Sequence, residues 1–194
     1  MKHVLAPADI LSPTDYTLVR DEKRRAIMAA KKNRRISVGP YATFYFENYD
    51  TMWLQVHEML RIEKGGDPQL ADELRAYNPL IPKGSELVAT VMFEIEDAVR
   101  RAAVLAELGG VENTIELRLG GETIKAKAEQ DLDYTSEEGK ASSVQFVHFP
   151  FAAPQIVKFG TPAMEVILAV THPAYPHMAI MPQALKQALM VDFN

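Results

Sequence analysis

Apolar and polar residues alternate with a period of two in "VGPYATFYFEN", where Tyr41, Thr43, Tyr45 and Glu47 fall on one face and Ala42, Phe44 and Phe46 on the other. That is the pattern of a strand after a Gly-Pro turn. The period then changes to that of a helix. Over Asp50 to Lys64, at 100° per residue, Met52, Trp53, Val56, Met59 and Leu60 form one apolar stripe, with Asp50 as candidate cap. Earlier, Leu18, Val19, Ala26, Ile27 and Ala30 recur at helical spacing and predict a long helix over about 12–32. Its end, "KKNRR", matches the cations that favour a helix C-terminus.

Beyond Lys64, Asp67 and Pro68 open a second helix through "QLADELRAY", which stops before Pro79, and "NPLIPKGS" reads as a loop. From Glu86, "ELVATVMFEIE" predicts a strand, "DAVRRAAVLAEL" an Asp-started helix ending at Gly109 and Gly110, and "TIELRLGGETIKAKA" a hairpin across Gly120 and Gly121. A polar loop, "DYTSEEGKAS", precedes the strand "SVQFVHFPF", a helical turn near Pro154, the strand "AMEVILAVTH", a proline-rich turn and a last helix, "PQALKQALM". The expected architecture is α+β: a single domain over 1–194, with the long N-terminal helix, a core over about 37–194, and one mixed, largely antiparallel sheet with helices packed on it.

Composition narrows the chemistry. At 194 residues, 47% hydrophobic, the chain suits one ordinary core, and the net charge of -5 argues against a general nucleic-acid binder. With no cysteine, the chain has no disulfide and no thiolate for zinc or an iron–sulfur cluster, so any metal must sit on His, Asp or Glu. The interrupted start "MKHVLAPADILSP" and the lack of an 18-residue apolar run point to a cytoplasmic protein without a membrane partner.

"HEMLR" begins like the zinc-protease helix H-E-x-x-H, but Arg61 stands where the second His must be, so that signature fails. No G-x-G-x-x-G, P-loop or G-x-S-x-G occurs. His172 and His177 flank the turn "HPAYPH", a pairing that suits ligation or acid–base chemistry, and the alternation of His148 with Val144 and Phe146 predicts a buried neutral imidazole with one hydrogen bond.

The helix stripe also contains Glu63, which would point a carboxylate at the core, with His57, Arg61 and Lys64 beside it. A candidate pocket therefore comprises Tyr45, Glu47, Trp53, His57, Arg61 and Glu63, joined by His172 and Tyr175 from the "HPAY" turn, for a small polar ligand. The alternative is a small metal-dependent enzyme with metal candidates His57, Glu58, His172 and His177; the reaction and cofactor, if any, stay open.

Gly39, Pro40, Tyr41, Phe44, Glu47, Asn48, Met52, Trp53, Glu58, Met59, Arg61, Glu63 and Lys64, then Tyr77, Asn78, Pro79, Leu80 and Pro82, and finally His172, Pro173 and Tyr175, resemble the characteristic elements of a bacterial family of about 200-residue proteins known as a domain of unknown function. No catalytic residues come with the resemblance. Genes of that family often neighbour those of rubrerythrin-like proteins and heterodisulfide-reductase-type iron–sulfur oxidoreductases. The resemblance thus implies a redox or peroxide-stress setting with such partners, in which a chain without cysteine is an accessory or ligand-binding component and not the electron carrier. A homodimer is left open.

Overall fold

In the computed structural model, residues 2–129, 134–136 and 139–194 are described, Asp67 by its backbone alone. Part of the polar loop, Asp133, Glu137 and Glu138, lies outside the described residues.

In chain order the elements are α1 (Pro13–Lys31), β1 (Arg35–Val38), β2 (Ala42–Phe46), α2 (Tyr49–Glu63), α3 (Gly66–Tyr77), β3 (Glu86–Phe93), α4 (Ala98–Ala106), β4 (Ile115–Leu119), β5 (Glu122–Lys125), β6 (Lys127–Ala128), β7 (Val144–Pro150), α5 (Ala153–Gly160), β8 (Val166–Val170), β9 (His177–Ile180) and α6 (Gln183–Leu189). Local chemistry sets several of these boundaries. Ser12 Oγ accepts the Asp15 amide at 3.1 Å, and Pro13 occupies a first-turn position whose N–H would have no helical partner. Asn48, not Asp50, caps α2: its Oδ1 accepts the Thr51 amide at 3.0 Å while Thr51 Oγ1 accepts the Asn48 amide at 2.9 Å.

The fold is α+β, but the strands form two sheets where the sequence predicts one. Their orders are β1-β2-β3-β7-β6 and β5-β4-β8-β9, and every pairing is antiparallel. Alternation along a strand says which residues share a face and nothing about which strand lies beside it; β3 pairs with β7 across fifty residues of intervening chain. Two short strands also escape the sequence pattern. β1 begins on the last residue of the basic run, and β9, "HMAI", is embedded in the proline-rich turn.

The two sheets pack face to face. Phe44, Phe46, Leu87, Ala89, Val91, Val147 and Phe149 from the first meet Ile115, Leu117, Leu119, Val166, Leu168 and Val170 from the second, with Phe159 of α5 and Leu185 and Leu189 of α6 closing the core. Each such Phe or Leu contributes about 1.5–3 kcal/mol by burial. On the outer face of the first sheet, Val88 packs with Met52 and Val56 of α2 and with Leu80 and Ile81. Tyr16 and Ile27 of α1 cover the opposite side of α2 at Leu54. The helix α2 is therefore packed between a sheet and a second helix, which explains why its apolar residues spread beyond a single stripe. Among the described residues no helix is long and apolar enough to cross a membrane.

Candidate ligand-binding site

The outer face of the first sheet is not fully covered by α2. Register places Arg35, Tyr45, Thr90 and Phe146 in one row across β1, β2, β3 and β7. Over this row a cleft of about 440 Å³ opens, walled by Met28, Lys31 and Lys32 at the end of α1, by Met52 and Gln55 of α2, and by Tyr77 and Leu80. Gln55 Nε2 donates to the Tyr77 hydroxyl at 3.4 Å, and burial pushes the Tyr77 phenol up from its ordinary range.

Glu47 lies in this cleft because the chain stays in strand register one residue past β2: its amide still donates to the Val88 carbonyl at 2.8 Å, which keeps its side chain on the face shared with Tyr45. Only 4% of Glu47 is exposed. Thr90 Oγ1 donates to its Oε1 at 2.7 Å, while its buried Oε2 has no hydrogen-bond partner among the described residues. An unpartnered buried acceptor costs about 1–3 kcal/mol, and more when charged. In the same row, the Tyr45 hydroxyl donates to Glu94 Oε1 at 2.8 Å; burial and this carboxylate both raise the phenol.

A second cleft, of about 750 Å³, lies on the other flank of α2 and is lined by Leu11, Pro13, Tyr16, His57, Leu60, Arg61 and Lys64. Its polar side chains are largely committed. His57 Nδ1 donates to the Trp53 carbonyl at 2.8 Å, and Nε2 accepts the Leu11 amide at 3.0 Å, an arrangement only the neutral ring can make. Burial lowers its basicity accordingly. The Trp53 indole donates to the Asp9 carbonyl at 2.9 Å. Arg20 grips Glu58 with Nε to Oε1 at 2.7 Å and Nη2 to Oε2 at 2.8 Å, and the Tyr16 hydroxyl adds a bond at 2.6 Å. Against the effect of burial, the Arg20 fork and Tyr16 hold the Glu58 carboxyl down at about 2.

The residues singled out in the sequence thus separate. Tyr45 and Glu47 share the first cleft, His57 and Arg61 the second, and Trp53 sits at the joint between α2 and the N-terminal segment. Glu63 does not face the core: it is exposed, and its Oε2 accepts from Gln69 at 3.1 Å. The helical period continues into the last turn of α2, but the packing stops there, as the 67% exposure of neighbouring Ile62 shows.

Tyr175 is at the opposite end of β2, on the sheet-to-sheet side. Its hydroxyl accepts the Tyr41 and Ala42 amides at 2.8 and 3.0 Å and donates to the Val38 carbonyl at 2.8 Å. His172 engages the Gly109 carbonyl at 3.3 Å and the Ala174 amide at 3.2 Å. The "HPAY" turn and α2 lie on opposite sides of the first sheet, so they do not build one pocket. Nor do the metal candidates converge. His57 and Glu58 are held as described, and no group of three or more His, Cys, Asp or Glu among the described residues is placed to hold a metal ion.

His148 departs from the expected single bond. Its Nδ1 lies 3.0 Å from Glu86 Oε2 and its Nε2 2.7 Å from Glu129 Oε2. Burial alone would lower its basicity; the two carboxylates reverse the sign and raise it. Sequence reasoning passed over Thr90, whose one signal is a polar residue on the strand face shared with Val88 and Met92, whereas the placement of Lys31, Lys32 and Arg35 along the cleft had no signal beyond their charge.

Together these features define an α+β protein of two packed antiparallel sheets with a polar-floored cleft outside the central core. The chain belongs to the family described as a protein of unknown function, DUF3501, whose profile matches residues 4–193. It is similar to a solved structure described as a novel protein of unknown function from Burkholderia pseudomallei K96243, with 33% identity, 98% of this chain and 100% of that chain covered, and a TM-score of 0.90. No curated protein matches it.

Proposed function

We propose that this protein is a cytoplasmic, non-enzymatic component that binds a small ligand in the cleft floored by Glu47. The observation that carries the reading is the Glu47 carboxylate: nearly inaccessible, held on one oxygen by Thr90, and left on the other without a partner among the described residues. A ligand donor at Oε2 would offset that desolvation, and about 440 Å³ is within the range of small-molecule sites. The wider setting, a redox or peroxide-stress system with rubrerythrin-like or iron–sulfur oxidoreductase partners, rests on the family resemblance alone.

Calorimetric titration with n-alkylamines of four, six and eight carbons tests the cleft. Saturable binding by at least one, lost in Glu47→Gln, is the expected result. Because Oε2 has no partner to lose, the same variant should melt no lower than the parent without amine. No saturable binding, or equal binding by the variant, overturns the reading.

A further inference from the structure

The basic run "KKNRR" is dismantled by the fold. Lys31 is in the last turn of α1, where the helix dipole accounts for it, and Arg34 turns inward to Asp192. Lys32 follows the helix, and Arg35 stands on β1 directly across from Tyr45, where no helix terminus explains it. Lys31, Lys32 and Arg35 all line the Glu47 cleft. None of these three has a carboxylate within ion-pair distance among the described residues. The nearby carboxylate of Glu94 accepts from the Tyr45 hydroxyl.

Three cations lining one cleft of a chain with net charge -5 form a local field opposite to that of the whole protein. The rest of the lining has a different character. Met28, Met52, Leu80, Met92, Val144 and Phe146 make an apolar wall, with three flexible thioethers able to adapt to an aliphatic or aromatic body. At the floor stands Glu47, whose buried Oε2 has no hydrogen-bond partner among the described residues.

We infer that the ligand is a zwitterion: a small molecule with a protonated nitrogen for Glu47, an apolar middle, and a carboxylate or phosphate for Lys31, Lys32 and Arg35. This rests on the reading of the cleft as a ligand site and adds the second charge and its sign. The floor accepts hydrogen bonds and the three cations donate them, so a molecule with only one charged end leaves one sign of the site's charge unanswered. Carboxylate and phosphate share the required chemistry and are separated by the probes.

Calorimetry with ω-amino carboxylates of four, six and eight carbons, their ω-amino phosphonate counterparts, and the matching n-alkylamines and n-alkanoates tests the inference. At one chain length the bifunctional probe is expected to bind at least tenfold more tightly than the amine or the alkanoate. A Lys31→Ala, Lys32→Ala, Arg35→Ala triple variant should bring that probe down to the affinity the amine has in the same variant, while amine binding, relieved of three like charges, is no weaker than in the parent. Because the three side chains are exposed or half-buried, this variant is expected to keep the parental melting temperature. The amino carboxylate or the phosphonate as the tighter probe identifies the anionic group.

If the amines bind through Glu47 but the added anion brings less than a twofold gain at every length, the zwitterion is wrong and the cleft reading stands. The same holds if the triple variant binds the bifunctional probe like the parent. If no amine binds, or Glu47→Gln binds the amines like the parent, the cleft reading falls and takes this inference with it.

Discussion

Arg34 Nη2 lies 2.5 Å from Asp192 Oδ2, with the two side chains only 4% and 1% exposed. The same guanidinium donates to the carbonyls of Phe46 at 3.0 Å, Ala188 at 2.8 Å and Glu47 at 3.1 Å. One buried cation thereby ties the C-terminal turn to the strand exit that positions Glu47. Removing one member of such a pair strands the other charge, so Arg34→Met or Asp192→Leu alone is expected to cost about 3–5 kcal/mol. Together they should cost clearly less than the sum. Urea denaturation of the four proteins at neutral pH measures the coupling; strict additivity would show that the pair does not act as a unit.

Asp192 also sets a pH dependence of unusual sign for a carboxyl group. Burial outweighs Arg34 and raises it from 3.8 to about 6. The folded protein then holds a proton that the unfolded chain has released. Its contribution is fully present below about pH 4 and is lost as pH rises through about 6, amounting to roughly 3 kcal/mol by linkage. Asp192→Asn should flatten the stability profile across that window, as followed by denaturation at half-unit pH intervals.

Glu58 works in the opposite direction. Its carboxyl is depressed from 4.5 to about 2, chiefly by Arg20, so its contribution is present above about pH 4.5 and lost as pH falls through 2. The site is partly open to water, and screening reduces the effect to about 1–2 kcal/mol. Glu58→Gln is expected to remove that amount at neutral pH and to shorten the acid limb of a thermal melt series. An unchanged acid limb would mean that the Arg20 fork does not persist in solution.

At His148 the net shift is upward because Glu86 and Glu129 outweigh burial. A raised imidazole contributes stability that is full below its ordinary value of 6.5 and disappears as pH climbs through the folded value. His148→Gln should therefore lose most stability at mildly acid pH and least in alkali. A ring titration by nuclear magnetic resonance with its midpoint at or below 6.5 would contradict the carboxylate sandwich.

Tyr175 closes the turn between β1 and β2 with three hydrogen bonds from one hydroxyl. Tyr175→Phe leaves the Tyr41 and Ala42 amides without their acceptor and should cost about 2–4 kcal/mol, with the packing of the ring retained. Gly39, at φ 68°, is the tighter constraint: a Cβ there would stand 2.6 Å from the His177 ring and 2.7 Å from the Tyr175 hydroxyl. Gly39→Ala is accordingly expected to destabilise at least as much as Tyr175→Phe in the same chemical denaturation assay.

Much of this architecture was legible because it is local. The alternation of Tyr45 and Glu47 against Phe44 and Phe46, the stripe of Met52 and Val56, and the Gly120–Gly121 hairpin all follow from backbone period and turn chemistry, which a single segment contains. Glu63 misled for the same reason: the period is a property of the helix, whereas burial belongs to what the helix lies against. His57 kept its place in the oily helix because the Leu11 amide, distant in sequence, completes its hydrogen bonding.

By itself, the sequence determined the α+β class, the absence of thiol chemistry, and the placement of Glu47 on a strand face opposite the phenylalanines. Only the tertiary structure decided that the strands form two sheets, that Arg34 leaves its basic neighbours for Asp192, and that Lys31, Lys32 and Arg35 line the same cleft as Glu47. Periodicity is encoded residue by residue, while a site made from α1, β1, β2, β3, β7 and α2 exists only once strand order and long-range packing bring those segments together.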